Sequence, residues 1–280
     1  GYSSAASDVY KRQSIDYMLK ERYSEKLYKL SLNGGMTCPN RDGKISEGGC
    51  IFCSAGGSGD FAANFNPDIA KQIEQAKTLV SKKYQGDRFI AYFQAYTNTY
   101  APVEYLRKLF MDTIMRDDIA ILSIATRPDC LGDDVIELLA ELNRIKPVWV
   151  ELGLQTINES TARLINRGYE LSCYDEEVRR LRNIGVEIIT HMIIGLPYET
   201  KEDILSTAEY IGKTANGIKL QLMHILKNTK LLEMYEKGEF KALTEEEYIE
   251  IVCEIISILP REMVIHRLTC LLYTSDAADE

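Results

Sequence analysis

Cys50-x-x-Cys53 brings two thiols within reach of one metal centre, and Cys38 stands twelve residues earlier in the same loop. The surrounding stretch, 26–61, reads KLYKLSLNGGMTCPNRDGKISEGGCIFCSAGGSGDF and holds eight of the chain's eighteen glycines. A long irregular loop of this composition is costly to order and is usually functional or disordered. Three thiols favour function, and a bound metal centre would tie the loop down. A structural zinc site needs four closed ligands; the nearest histidine is His191, and the other cysteines fall in helices or at strand ends. Unconnected reduced thiols belong in packed cores, not glycine-rich loops. An iron–sulfur cluster with three protein ligands is the third reading, beside zinc and unconnected thiols. It leaves one iron open to bind something that reacts.

The rest of the chain must position this loop. Its 280 residues are 45% hydrophobic and 27% charged, with seven prolines, which suits a globular protein with one large core. A net charge of −9 argues against a phosphate-backbone binder held by bulk electrostatics. No apolar run is long enough for a membrane span and no apolar signal core precedes the loop, so the expected compartment is the cytoplasm. Seven cysteines in a reducing compartment read as thiols or metal ligands. The ends, 1–13 and 270–280, share no periodicity with their neighbours and read as non-native, so a single domain over 14–269 is expected.

Strands are expected over 27–32, 88–93, 119–125, 148–154, 186–194 and 218–226, with 263–268 starting one more. Helices are expected over 14–23, 69–83, from Pro102, over 133–144, 159–166, 174–183, 201–213, 231–237 and 244–259. Asn66-Pro67 marks a helix start, and Thr244-x-x-Glu247 a capping box. Strand then helix, repeated six times, implies parallel strands with right-handed crossovers. A partial barrel and a doubly wound sheet both satisfy this pattern. In either, ligands bind at the C-terminal ends of the strands.

The cysteine loop resembles the cluster motif of radical S-adenosylmethionine enzymes, in the long-spaced form of the Elongator catalytic subunit's relatives. SLNGGMTCPNRDG with GGCIFC is most similar to the YhcC-type subgroup. The similarity continues through AYFQAYTNTYAP (91–102), SIATRPDCL (123–131), VELGLQT (150–156), INRGY (165–169), HMIIGLP (191–197) and VIHRLT (264–269). It implies an α/β fold, a partial (β/α)6 TIM-like barrel with the cluster-binding loop after strand one. It also implies that Cys38, Cys50 and Cys53 hold a 4Fe-4S cluster whose fourth iron is chelated by S-adenosylmethionine. An electron from the cluster would cleave the cofactor, and the 5′-deoxyadenosyl radical would abstract a substrate hydrogen.

The resemblance extends to cofactor contacts. Phe52 would pack near the adenine. Gln94 and Tyr96 stand where most of the family has a glycine-rich segment receiving the cofactor's amino group; here that segment departs in its side chains. Arg127, at a strand end beside Pro128, wants an anion, either the cofactor carboxylate or Asp129. Glu151 and Gln155 come from the fourth strand, Gln155 where relatives bond the ribose. Arg167 matches an arginine that pairs with the cofactor carboxylate. His191 occupies a ribose-binding position and Gly195 a turn where backbone approaches the adenine. His224 and His266 are expected in core or structural roles, and Cys130, Cys173 and Cys253 as ordinary thiols. An external one-electron donor such as flavodoxin or ferredoxin is implied. RNA is the substrate class suggested by the Elongator-type relatives. The competing expectation is a non-enzymatic iron–sulfur or zinc protein, a redox sensor or scaffold, which would not need Gln155, Arg167 and the strand-five glycine together.

Overall fold

The computed structural model describes residues 14–57, 59, 62–82, 84 and 86–268. Seven parallel strands form one sheet in sequence order: β1 (Tyr28–Leu32), β2 (Phe89–Phe93), β3 (Ile119–Thr126), β4 (Val148–Gln155), β5 (Glu187–Ile194), β6 (Gly217–Leu222) and β7 (Val264–Arg267). The helices are α1 (Ile15–Tyr23), α2 (Ile69–Val80), α3 (Val103–Ile114), α4 (Asp133–Asn143), α5 (Glu159–Leu164), α6 (Leu171–Asn183), α7 (Lys201–Thr214), α8 (Lys230–Glu236) and α9 (Glu245–Ile258). Among the described residues, no helix is long and apolar enough to cross a membrane.

Every residue of β2 and β3 is buried, the signature of strands covered on both faces. The apolar stripes of α2, α3, α4, α6, α7 and α9 pack on the outer face in one continuous core. The inner face closes on itself. In a flat sheet β2 and β6 would lie about 19 Å apart, four strand spacings, yet Lys219 Nζ of β6 is 3.1 Å from Tyr92 Oη of β2. Lys29 of β1 likewise reaches Glu151 of β4 at 2.9 Å. The sheet is therefore curled into a partial barrel, with β1 and β7 as its edges.

The N-terminal end of this barrel is plugged. Met18 and Leu19 of α1 pack with Leu27, Ile90, Ile121, Trp149, Ile189 and Val264 in a separate apolar cluster. The cysteine loop sits at the opposite end of the barrel, with the C-terminal strand ends.

Several element boundaries differ from expectation. The cap of α2 is Asp68, whose side chain accepts from the Ala70 and Lys71 amides, while Asn66 Oδ1 caps Asp68 N. Helix α6 starts at Leu171, three residues early, because Leu171 N donates to Glu159 Oε1. Strand β6 stops at Leu222. The expected seventh strand forms and pairs in parallel with β6. Lys83, the expected end of α2, lies outside the described residues, as do Thr269 and both terminal segments. Thr244 makes the expected capping box with Glu247.

Candidate functional site

The cysteine loop has little secondary structure but is held by side-chain amides. Two tight turns place the thiols: Arg41 N donates to Cys38 O at 2.8 Å, and Cys53 N to Cys50 O at 3.0 Å. Asn40, fully buried, donates from Nδ2 to Asn166 O (2.6 Å) and Arg167 O (3.2 Å), and lies 3.6 Å from Cys50 Sγ. Asn166, in the left-handed region at φ 57°, returns bonds to Ser46 Oγ (2.8 Å) and Gly49 O (2.9 Å). Ile51 bridges the segment before Arg167 and the start of α8 through Ile165 O and Leu231 N. From the other side Arg41 donates to the Cys53 and Ser54 carbonyls, and Tyr96 Oη to Ala55 O at 2.8 Å. The chain's own side chains hold the described part of the loop, beside whatever a bound metal centre would add. The scaffold is the Asn40–Asn166 exchange, and asparagines 126 residues apart give no local signal.

Cys38, Cys50 and Cys53 line one cavity of about 300 Å³. Among the described residues no three His, Cys, Asp or Glu side chains are close enough to share a single metal ion. A cubane cluster takes one thiolate per iron corner, so its thiols stay apart. Burial, with Cys53 and Cys38 nearby, pushes the Cys50 thiol up to about 11, against the opposing charge of Arg127 and the Asn40 amide. A thiolate at such a site needs a positive centre to ionise it. Cys130 and Cys173, pushed up to about 12 and about 11, first by burial, do not line this cavity, and Cys253 is exposed on α9.

The strand ends supply the rest of the wall. Phe52, Gln94, Tyr96, Arg127, Glu151, Gln155, Arg167 and His191 all line the same cavity. Tyr96 and Gln155 hold left-handed backbone, φ 59° and 69°, a conformation non-glycine residues adopt at a cost and mainly where surroundings impose it. Gln155 also needs Gly153 beneath it, where a Cβ would come within 2.8 Å of Gln155 Nε2. Gly195, at φ 89°, lines a neighbouring cavity instead, with Leu196, Tyr198 and Glu199.

The two arginines differ from each other. Arg127 makes a two-bonded pair with Asp129, Nε to Oδ1 at 2.9 Å and Nη2 to Oδ2 at 2.7 Å, so the structural partner expected for it is engaged. Arg167, only 2% exposed in its side chain, is held by the chain: Nε on Tyr169 O (2.9 Å), Nη1 on Thr156 O (2.7 Å) and Leu154 O (3.4 Å), Nη2 on Glu159 (2.8 Å). Tyr169 stacks between both guanidiniums, 5.0 and 4.8 Å from its ring, and donates its hydroxyl to Gly153 O.

One layer deeper lies a charged network that the sequence did not disclose. Glu151, wholly buried, accepts from Lys29 Nζ (2.9 Å), Ser123 Oγ (2.7 Å), His191 Nε2 (2.8 Å) and Lys219 Nζ. Burial pushes its carboxyl up, but Lys219, Lys29 and the His191 bond outweigh it and hold it well below the usual range. Burial and the Lys219 charge pull His191 down to about 4 despite Glu151. Neutral His191 facing a carboxylate must carry its proton on Nε2, which leaves Nδ1 an acceptor. His266 packs edge-on against Trp149 at 5.1 Å, its buried Nδ1 without a partner among the described residues. His224 instead lines the cavity, its buried Nε2 without a partner among the described residues. The available signal was a lysine and a glutamate at inward positions of otherwise apolar strands.

Residues 38–211 match the Radical SAM superfamily, and residues 215–275 the Radical_SAM C-terminal domain. The chain is 47% identical to an uncharacterized protein, YtqA, of Bacillus subtilis, over 91% of this chain and 80% of that one. It is 38% identical to protein YhcC of Escherichia coli K12, over 90% and 81%. The solved structure of Elp3 from Methanocaldococcus infernus superposes with a TM-score of 0.63 at 20% identity, over 85% of this chain and 55% of that one. The chain belongs to the radical SAM superfamily, with YhcC and YtqA among its relatives.

Proposed function

We propose that this enzyme holds a 4Fe-4S cluster through Cys38, Cys50 and Cys53 and binds S-adenosylmethionine beside it, at the mouth of the barrel. The observation that carries this reading is the shared cavity: three thiols from one loop share it with Gln94, Arg127 and Gln155 from the ends of three strands and His191 from within a fourth. The residues fit the group. The buried Cys50 thiol requires a cationic partner to ionise, and the Asn40 amide and Arg127 charge supply the hydrogen bonding and positive field that cluster sulfurs favour. When bound, cluster and cofactor supply reductive cleavage of the sulfonium carbon–sulfur bond and a 5′-deoxyadenosyl radical for hydrogen abstraction.

The chain's own residues do the rest. Gln155, fixed above Gly153 by its strained backbone, offers an amide that both donates and accepts to a ribose. His191 offers Nδ1 as an acceptor while Glu151 holds its tautomer. Tyr96 ties the cysteine loop to the end of β2 and keeps Gln94 at the cavity wall. Arg167 fixes the end of β4 and the loop before α6, so its contribution to the cofactor carboxylate is charge at short range from an already engaged guanidinium. The apolar plug of α1 seals the far end of the lumen, excluding water from a radical. The electron comes from an external one-electron donor of the flavodoxin or ferredoxin kind. The Elongator-type resemblance supports RNA as the molecule acted on.

Anaerobic reconstitution with iron and sulfide tests this. About four irons per chain and 5′-deoxyadenosine formed from S-adenosylmethionine under reduction are expected. Cys50→Ala should abolish the cluster while Cys253→Ala retains it; equal loss from both refutes the ligand assignment. A protein that takes up the cluster but never cleaves the cofactor is a sensor or scaffold, and the enzymatic reading fails.

A further inference from the structure

The lumen floor carries more positive charge than its one carboxylate can neutralise. Lys29 and Lys219 share Glu151, and Arg267 forms an ion pair with no carboxylate among the described residues. The β6–β7 register sets Lys219 directly beside Arg267, and like charges at opposed strand positions destabilise a sheet. Burial, aided by Lys29 and Arg267 and opposed by Glu151, pulls Lys219 well down. Counted with Lys219 neutral, Lys29 and Arg267 still outnumber Glu151. Lys219 is buried while Lys29 and Arg267 are half-buried, at positions that a barrel interior ordinarily fills with branched apolar side chains. Arg267, Gln221, Tyr92 and His191 line the cavity, so the excess faces the lumen below the cysteines.

We infer that this layer is a substrate subsite for an oxyanion, a carboxylate or a phosphate, held by Arg267 at the cavity wall with Lys219 and Lys29 behind it. The inference rests on the reading of the cavity above as a radical enzyme's. It adds the class of substrate: a molecule, or a substituent of a larger one, that carries its anion on a group able to reach Arg267 below the cysteines. Glu151 serves as the counter-charge that keeps the cations apart until the anion arrives.

Trp149, the chain's one tryptophan, lies 5.7 Å from Lys29 Nζ and reports on this layer. The experiment titrates sodium acetate and inorganic phosphate, at constant ionic strength set by chloride, into anaerobically reconstituted protein and follows Trp149 fluorescence and the melting temperature. A saturable response to acetate alone assigns a carboxylate; one to phosphate alone assigns a phosphate. Arg267→Met should weaken that binding about tenfold or more, the loss of a charge-assisted contact. Glu151→Gln should move it oppositely, tightening it about fivefold or more by removing the competing anion. No saturable response to either probe overturns the inference, as does equal weakening in both variants, the mark of a damaged fold. Iron content and 5′-deoxyadenosine are read on the same samples. Cofactor cleavage without anion binding sinks the subsite alone; anion binding without cleavage sinks the radical reading and leaves the subsite standing.

Discussion

Replacing Arg167 with methionine separates two roles for the same side chain. The substitution keeps the buried stem and removes the guanidinium, which is 2% exposed and makes bonds to Leu154 O, Thr156 O, Tyr169 O and Glu159. Hydrogen bonds to a charged group contribute about 1.5–3 kcal/mol each, and stripping one partner from a buried ionic arrangement costs about 3–5 kcal/mol. The Glu159 side chain is 35% exposed, so its share is screened and the three carbonyls carry most of the loss. About 4 kcal/mol is the expected destabilisation, a fall in Tm of roughly 10 °C for a chain of this size. Thermal unfolding followed by circular dichroism, before cluster insertion, reads it without any cofactor. Arg167→Lys should recover little, because an ammonium cannot span three carbonyls in fork geometry. If the methionine variant melts within about 2 °C of wild type while binding S-adenosylmethionine tenfold more weakly, the guanidinium serves the cofactor and the scaffolding role argued here is refuted.

Two pH effects of opposite sign follow from the buried groups. His191 sits near 4 in the fold against an ordinary 6.5, so the unfolded chain takes up a proton that the folded one refuses. Stability should therefore fall by about 3 kcal/mol as pH drops from about 6.5 toward 4, and chemical denaturation of His191→Gln should show a shallower fall; an unchanged slope removes His191 as its source. Glu199 is raised from 4.5 to about 7, first by burial, while accepting from Thr156 Oγ1. Its contribution is present below about 4.5 and lost as pH rises through about 7. Glu199→Gln should abolish that loss, and denaturant midpoints falling as steeply across the window as in wild type would show that the group is not buried neutral.

The fold was legible because the helices advertise themselves twice, by caps and by apolar stripes. Thr244 with Glu247, and Gly185 after α6 at φ 73°, mark ends that the structure keeps. Where a boundary moved, a longer-range bond moved it: Glu159 Oε1 takes the Leu171 amide and lengthens α6. Curling of the sheet had no such local mark. Six strand–helix units read equally well as a flat sheet until side chains from β2 and β6 are seen to touch.

The site divides along the same line. Thiols in a glycine-rich loop are visible because their neighbours are wrong for a core. Lys29, Glu151, Lys219 and Arg267 were harder, since each stands alone in its strand and their partners lie 122 and 68 residues away. Yet YKLSL, VELGLQ, GIKLQL and VIHR share one anomaly: a charge among side chains that a parallel strand should bury. A lone buried charge is too expensive to keep, so buried Glu151 and Lys219 must find partners, and Lys29 reaches Glu151 from β1. Their signs then matter more than their positions. Even with Lys219 neutral, Lys29 and Arg267 outnumber Glu151, and that imbalance is what the proposed anion would offset.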